Sequence, residues 1–205
     1  MPIKRLHFIS GIIISVFTGC HLFNHTYSIF GVDKHIELMN TLRLVYRNIF
    51  IEFILIAAVV VQIISGLQLL KGIGKAPTSV FARLQVWTGL YLAFFFVFHL
   101  TAVFGGRFLL HLDTNFYFGA AGLNVFPFNL FFIPYYGLAI ISVFGHLASV
   151  HSKKMKQTFF GLTPSRQAYA ILLIGCCVTG IIFYGLTNRF RGFKMPQEYN
   201  ILIGK

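Results

Sequence analysis

The sequence predicts an all-α protein, a five-helix transmembrane bundle forming a single domain over residues 1–205, and three observations predict it. Mean hydropathy is +0.76, with 57% hydrophobic and 11% charged residues, a composition that no soluble domain of this size tolerates on its surface. The apolar residues gather into five runs of about 20, each long enough to cross ~30 Å of hydrocarbon as a helix. Charged residues fall mostly between these runs. The expected spans are about 8–29, 49–70, 84–104, 128–150 and 167–187.

The charge pattern then orients the bundle. A net charge of +12 would suit a nucleic-acid binder if it formed one patch, but here it is distributed between spans. Lys4 and Arg5 precede the first span; Lys71, Lys75 and Arg83 lie between the second and third; Lys153, Lys154, Lys156 and Arg166 lie between the fourth and fifth. These three segments share one side and hold no Asp or Glu. The positive-inside rule puts that side and the N-terminus in the cytoplasm, although Arg189, Arg191 and Lys194 in the tail then fall outside and weaken the bias. An integral protein of a bacterial inner membrane, in contact with membrane lipid and no nucleic acid, is the expectation.

The first span is expected to be retained, because no small-residue cleavage site stands out and Cys20-His21 interrupts the apolar run. Toward its outer end come Asn24 and His25. Residues 31–48 mix charges with Leu38, Met39, Leu42 and Leu44, and an amphipathic surface helix and a plain polar loop fit this pattern equally. The second span begins near Asn48 and carries Glu52, expected to pair with Arg43 or Arg47, and Gln62, whose amide suits a hydrogen bond between helices. The third span is rich in Phe. Residues 105–127 read as an outer loop, with aromatics suited to the headgroup belt.

The fourth span runs inward through Pro134 to Gly145-His146-Leu147. The fifth has no ionisable residue in its interior and is expected to pack on the bundle from outside, with Thr163-Pro164-Ser165 as its start signal. Cys20, Cys176 and Cys177 have neither disulfide nor metal-site spacing and are expected to be packed thiols. The absence of Cys-x-x-Cys-His excludes a c-type haem.

Chemistry enters with a repeated motif. Ser10-Gly11, nine residues, then His21-Leu22 is matched by Thr88-Gly89, nine residues, then His99-Leu100, and Phe17 and Phe95 stand four residues before the two histidines. Helical rise places His21 and His99 at equal depth, about 5–8 Å outward of mid-span. An imidazole in hydrocarbon needs a partner, and a haem b held between the two histidines supplies one for both. The first four spans then form a haem-binding core. Gly11 and Gly89 leave room for porphyrin or for close helix approach. Two imidazoles on one iron give a low-spin centre suited to electron transfer. Buried propionates are costly, so they should point outward toward Arg43, Arg47, Arg107 and His25. His146, roughly 15 Å further inward, cannot serve the same iron; it could ligate a second haem, bond a quinone or satisfy packing.

These motifs, in order, resemble the five-helix, single-chain cytochrome b anchor subunit of succinate dehydrogenases (succinate:quinone oxidoreductases) and quinol:fumarate reductases. The matching residues are Arg5-Leu6-His7 before Gly11, His21-Leu22 with Asn24-His25, Glu52, Gly66, Leu84-Gln85 with Thr88-Gly89, His99, His146 and Gly161-Leu162-Thr163-Pro164. The resemblance covers about residues 4–187. It implies haem ligation by His21 and His99, electron exchange with quinone, and docking of flavoprotein and iron-sulfur subunits at the basic face. At most this chain is the quinone-reacting subunit of such an enzyme, since it has no nucleotide-binding or Cys-cluster motif of its own. In dihaem members of the family a second haem lies between a histidine of the second helix and one equivalent to His146; here the former position is Gln62, a poor axial ligand. One haem is expected, with a second at His146 as the open alternative, and Gln62→His should raise the number toward two if the inner pocket survives. The same departure favours an alternative role, a stand-alone membrane haem b protein without dehydrogenase partners.

Overall fold

A computed structural model describes residues 2–72 and 78–205, so Lys75 lies outside the described residues. Among the described residues seven α-helices run in the order α1 (Ile3–Thr26), α2 (Val32–Tyr46), α3 (Ile49–Lys71), α4 (Val80–Phe104), α5 (Phe116–Asn124), α6 (Asn129–Lys154) and α7 (Pro164–Leu186). Among the described residues there is no strand, only an isolated bridge between Phe159 and Leu162. Five helices, α1, α3, α4, α6 and α7, are long and apolar enough to cross a membrane, and the chain is an integral membrane protein. Side chains such as Phe50, Phe53 and Trp87 are more than two-thirds exposed, as helices solvated by hydrocarbon require.

Local chemistry sets the helix starts. The side chain of Asn48 accepts from the Phe50 amide, Ser79 from Ala82, Asn115 from Tyr117, and Thr163 from Arg166 with Pro164 opening α7. Each satisfies an amide that the first turn leaves without a partner. These caps start α4 and α7 three or four residues before the apolar runs begin.

The spans form a closed ring in which α1 neighbours α3, α3 neighbours α4, α4 neighbours α6, α6 neighbours α7 and α7 returns to α1. The helices that face across the ring stay apart: no Cα of α1 lies within 8 Å of one in α4, and the same holds for α3 and α6. The fifth span is thus part of the wall rather than an external addition. Its small residues explain this, since a Cβ on Gly175 would lie 2.5 Å from Phe144 Cβ and one on Gly185 would collide with Ser28 Oγ.

One end of the ring carries Lys4, Arg5, Lys71, Arg83, Lys153, Lys154, Lys156 and Arg166 and is called the basic end. The other is capped by α2, α5 and a terminal turn, Gln197–Ile203. Residues 31–48 therefore hold a helix, resolving the two readings, whereas 105–127 is no simple loop. It contains a wide turn, Gly105–Leu109, and α5. Helix α5 carries the main apolar cluster, in which Phe116, Ala120 and Leu123 meet Ile140, Ile182 and Leu186. Tyr199 from the terminal turn is fully buried beside it, its hydroxyl 2.9 Å from Asn115 Oδ1.

Two further expectations are corrected. All three cysteines are exposed rather than packed; on these helices they face hydrocarbon, where a small thiol is at no disadvantage. Glu52 pairs with Arg107, not with Arg43 or Arg47, because the wide turn after α4 brings Arg107 over the start of α3. Arg43 instead lies 2.9 Å from Asp113 in the connection before α5.

Candidate functional site: a buried histidine cluster

The repeated motif produces a repeated geometry. A residue four positions earlier shares a helix face, and each Phe stacks on its His: Phe17 on His21 with ring centroids 5.6 Å apart and planes at 18°, and Phe95 on His99 at 4.9 Å and 14°. The two imidazoles meet across the ring, their centroids 6.2 Å apart. With metal–imidazole bonds of about 2 Å, two imidazoles on opposite sides of one metal ion have centroids roughly 6 Å apart. Helices too far apart for backbone contact thus present rings at a ligating separation. Among the described residues no three His, Cys, Asp or Glu converge on one point.

Toward the capped end the site continues through His25 and His35. His25 Nε2 lies 3.2 Å from His21 Nε2, and the His25 and His35 rings are 5.4 Å apart. Ligation by His21 through Nε2 would give up the bond to His25 and free that imidazole for another acceptor. Asn24 Nδ2 donates to His35 Nε2 at 3.3 Å, which leaves the His35 proton on Nδ1. His35 is only 1% exposed, wedged against Phe116. Burial first, and then the nearby His21 and Arg43, pushes its pKa down to about 4.

Four buried polar atoms of this region lack a partner among the described residues: Asn24 Oδ1, His25 Nδ1, His35 Nδ1 and Arg43 Nε. Buried polar groups are rarely left so, and here they gather at one end of one site. At least two are donors, beside a guanidinium whose side chain is 10% exposed. Arg47 stands at the rim, its Nη2 donating to Thr114 Oγ1 at 2.9 Å. Carboxylates entering from the ring would meet these donors. These residues would suit a haem: His21 and His99 would hold its iron, and His25, His35 and Arg43 would receive its propionates.

The basic half of the ring has a different character. Ser10 Oγ donates to Gln62 Oε1 at 2.6 Å, Gln62 Nε2 lies 3.2 Å from His7 Nε2, and His7 Nδ1 lies 2.9 Å from Ser65 Oγ. This network ties α1 to α3. On the opposite pair, His146 Nδ1 lies 3.4 Å from Thr88 Oγ1 and ties α6 to α4. A Cβ on Gly11 would touch the Gln62 amide at 3.4 Å, one on Gly66 the His7 ring at 3.3 Å, and one on Gly89 the His146 ring at 3.3 Å. The glycine notches of this half receive polar side chains. His146, beside Gly89, lies ten residues and so about 15 Å inward of His99 along α4, too far to share an iron with it.

Of the residues singled out from sequence, His21 and His99 come together with Arg43 and Arg47 at the same end, while Gly11, Gly89 and His146 belong to the other half. His7 and His35 carry roles that the sequence reading did not give them. His7 had a signal, since it lies one turn before Gly11 in the repeated motif; His35 had none, because its partners Asn24, His25 and Phe116 come from other elements. No protein-family model, curated protein or solved structure matches this chain.

Proposed function

We propose that the chain is a membrane-bound haem b protein that exchanges electrons with quinone, as the anchor subunit of a succinate:quinone oxidoreductase-like complex in a bacterial inner membrane. The observation that carries this reading is the pair of Phe-stacked imidazoles on α1 and α4, 6.2 Å apart between helices with no Cα atoms within 8 Å of each other. When bound, a bis-imidazole haem supplies one-electron transfer without an open position for oxygen. The protein's part is to hold both imidazoles neutral and oriented, to seal them from water with α2 and α5, and to offer His25, His35 and Arg43 to the propionates. The basic end faces the cytoplasm on this reading and offers cations to an acidic partner surface. His7 and His146 are the polar groups available there to a quinone carbonyl.

The stand-alone alternative draws on a specific observation. The position where an inner haem ligand would stand holds Gln62, and its amide is bonded to both Ser10 and His7. Pyridine haemochrome and a reduced-minus-oxidised spectrum of the purified chain test the proposal. About one low-spin haem per chain is expected, and none would overturn it. Flavin and iron-sulfur absorbance co-purifying with the chain separates the anchor from the stand-alone protein.

A further inference from the structure

A groove at the basic end lies between α6 and α7, away from the histidine cluster. It has a volume of about 480 Å³ and is lined by Leu147, Val150, His151, Lys154, Met155 and Ile171. Four of the six are apolar, and the two polar residues stand at the end nearest the membrane surface. Leu147 is 41% exposed, so the groove opens sideways from the bundle. His151 is fixed by Gln167, with Nε2 2.7 Å from the amide oxygen, and that amide donates in turn to the Gln157 and Leu162 carbonyls. Lys154 has no carboxylate partner among the described residues; its ammonium sits 3.7 Å above the Phe8 ring of α1. The floor is thus built of fixed groups and carries an uncompensated cation.

The surroundings strengthen that charge. All five acidic residues of the chain, Asp33, Glu37, Glu52, Asp113 and Glu198, lie toward the capped end. The basic end carries Lys4, Arg5, Lys153, Lys156 and Arg166 as well and no acid to offset them. A ligand for this place needs an anionic head at membrane-surface depth and an alkyl chain that follows an apolar wall into hydrocarbon. Inorganic phosphate satisfies only the first requirement and a neutral lipid only the second.

We infer that this groove is a binding site for an anionic phospholipid of the leaflet at the basic end, with the phosphate at Lys154 and an acyl chain along Leu147, Val150 and Ile171. Lys154 is the group whose charge decides head-group preference, and its aromatic contact with Phe8 positions it without neutralising it.

The test uses the full chain in detergent, with phosphatidylglycerol and phosphatidylcholine of matched acyl chains, and reads lipid retention by native mass spectrometry. Phosphatidylglycerol should be retained preferentially. Lys154→Gln should weaken that retention about fivefold, and Leu147→Trp, which fills the groove, should abolish it with charge unchanged. Lys34→Gln at the capped end is the control and should change nothing. Equal retention of the two lipids, unaltered retention in Lys154→Gln, displacement by millimolar inorganic phosphate, or occupation of the face by a protein in place of lipid would each overturn the assignment. Lipid retention is read independently of haem content, so its failure does not bear on the haem site, nor the reverse.

Discussion

His35 offers a test in which the size of the effect follows from its surroundings. The imidazole is faced by Asn24 and His25 of α1, by Phe116 of α5 and, along its own helix, by Arg43, with His21 within electrostatic reach. No carboxylate is among these neighbours, so the charged form has nothing to stabilise it. Its pKa falls from 6.5 in the unfolded chain to about 4 in the fold. The unfolded state therefore binds the proton first on acidification. The contribution of neutral His35 is present in full above pH 6.5, is lost progressively as pH falls toward 4, and changes no further below that. At pH 5 the loss is about 2 kcal/mol. The assay is unfolding of the detergent-solubilised chain between pH 7.5 and 4.5, comparing wild type with His35→Gln. The variant retains an amide for Asn24 but does not titrate, so the difference between the proteins, rather than either curve alone, isolates His35 from the other histidines. A pH dependence identical in the two would refute the reasoning, since it would mean that His35 is not held neutral by burial.

Other outcomes follow from the same geometry. His21→Ala and His99→Ala should each abolish the low-spin haem spectrum while the chain still inserts; an unchanged spectrum in both variants would remove the ligand assignment. Gln62→His alone should leave haem content near one per chain, because His7, Gln62 and His146 already fill the notches at Gly66, Gly11 and Gly89; pyridine haemochrome values near two would show that the inner half opens for porphyrin. Gly185→Ala should cost about 1–3 kcal/mol, because its Cβ would meet not only Ser28 Oγ but also the Ile29 backbone nitrogen at 2.8 Å. Thermal unfolding measures that loss, and an unaltered midpoint would mean that α7 is not tightly seated against the turn that follows α1.

The spans were legible because hydropathy over about 20 residues is a strong local signal. The paired histidines were legible because their motif repeats at one spacing and rise per residue converts spacing into depth. What escaped the sequence reading depends on contacts between distant elements. Helix α5 was hidden by its composition: Gly119, Ala120, Ala121 and Gly122 read as loop, yet Gly122 is where Phe132 presses so closely that a Cβ would collide with its ring. The partner of Glu52 could not be chosen from three arginines of similar reach, because the choice is made by the wide turn that carries Arg107. The cysteines were misplaced because a hydrophobic residue on a membrane helix faces lipid as readily as core.

The repeated motif extends further than its histidines. Helices α1 and α3 pair as α4 and α6 do: Ser10 reaches Gln62 as Thr88 reaches His146, Gly11 faces Gln62 as Gly89 faces His146, and Ser65 follows Gln62 by three residues as Ser149 follows His146. The two halves thus run parallel through the membrane, and each has a site toward the capped end and one toward the basic end. In the capped half the equivalent residues are identical, His21 and His99, and they meet across the ring. In the basic half they differ, Gln62 against His146, and each is bonded within its own half instead. Gln62 accepts from Ser10 and donates toward His7, and both bonds hold it against α1 within its own half. One depth thus holds a pair of imidazoles that meet across the ring, and the other holds two separate polar contacts, each within its own half.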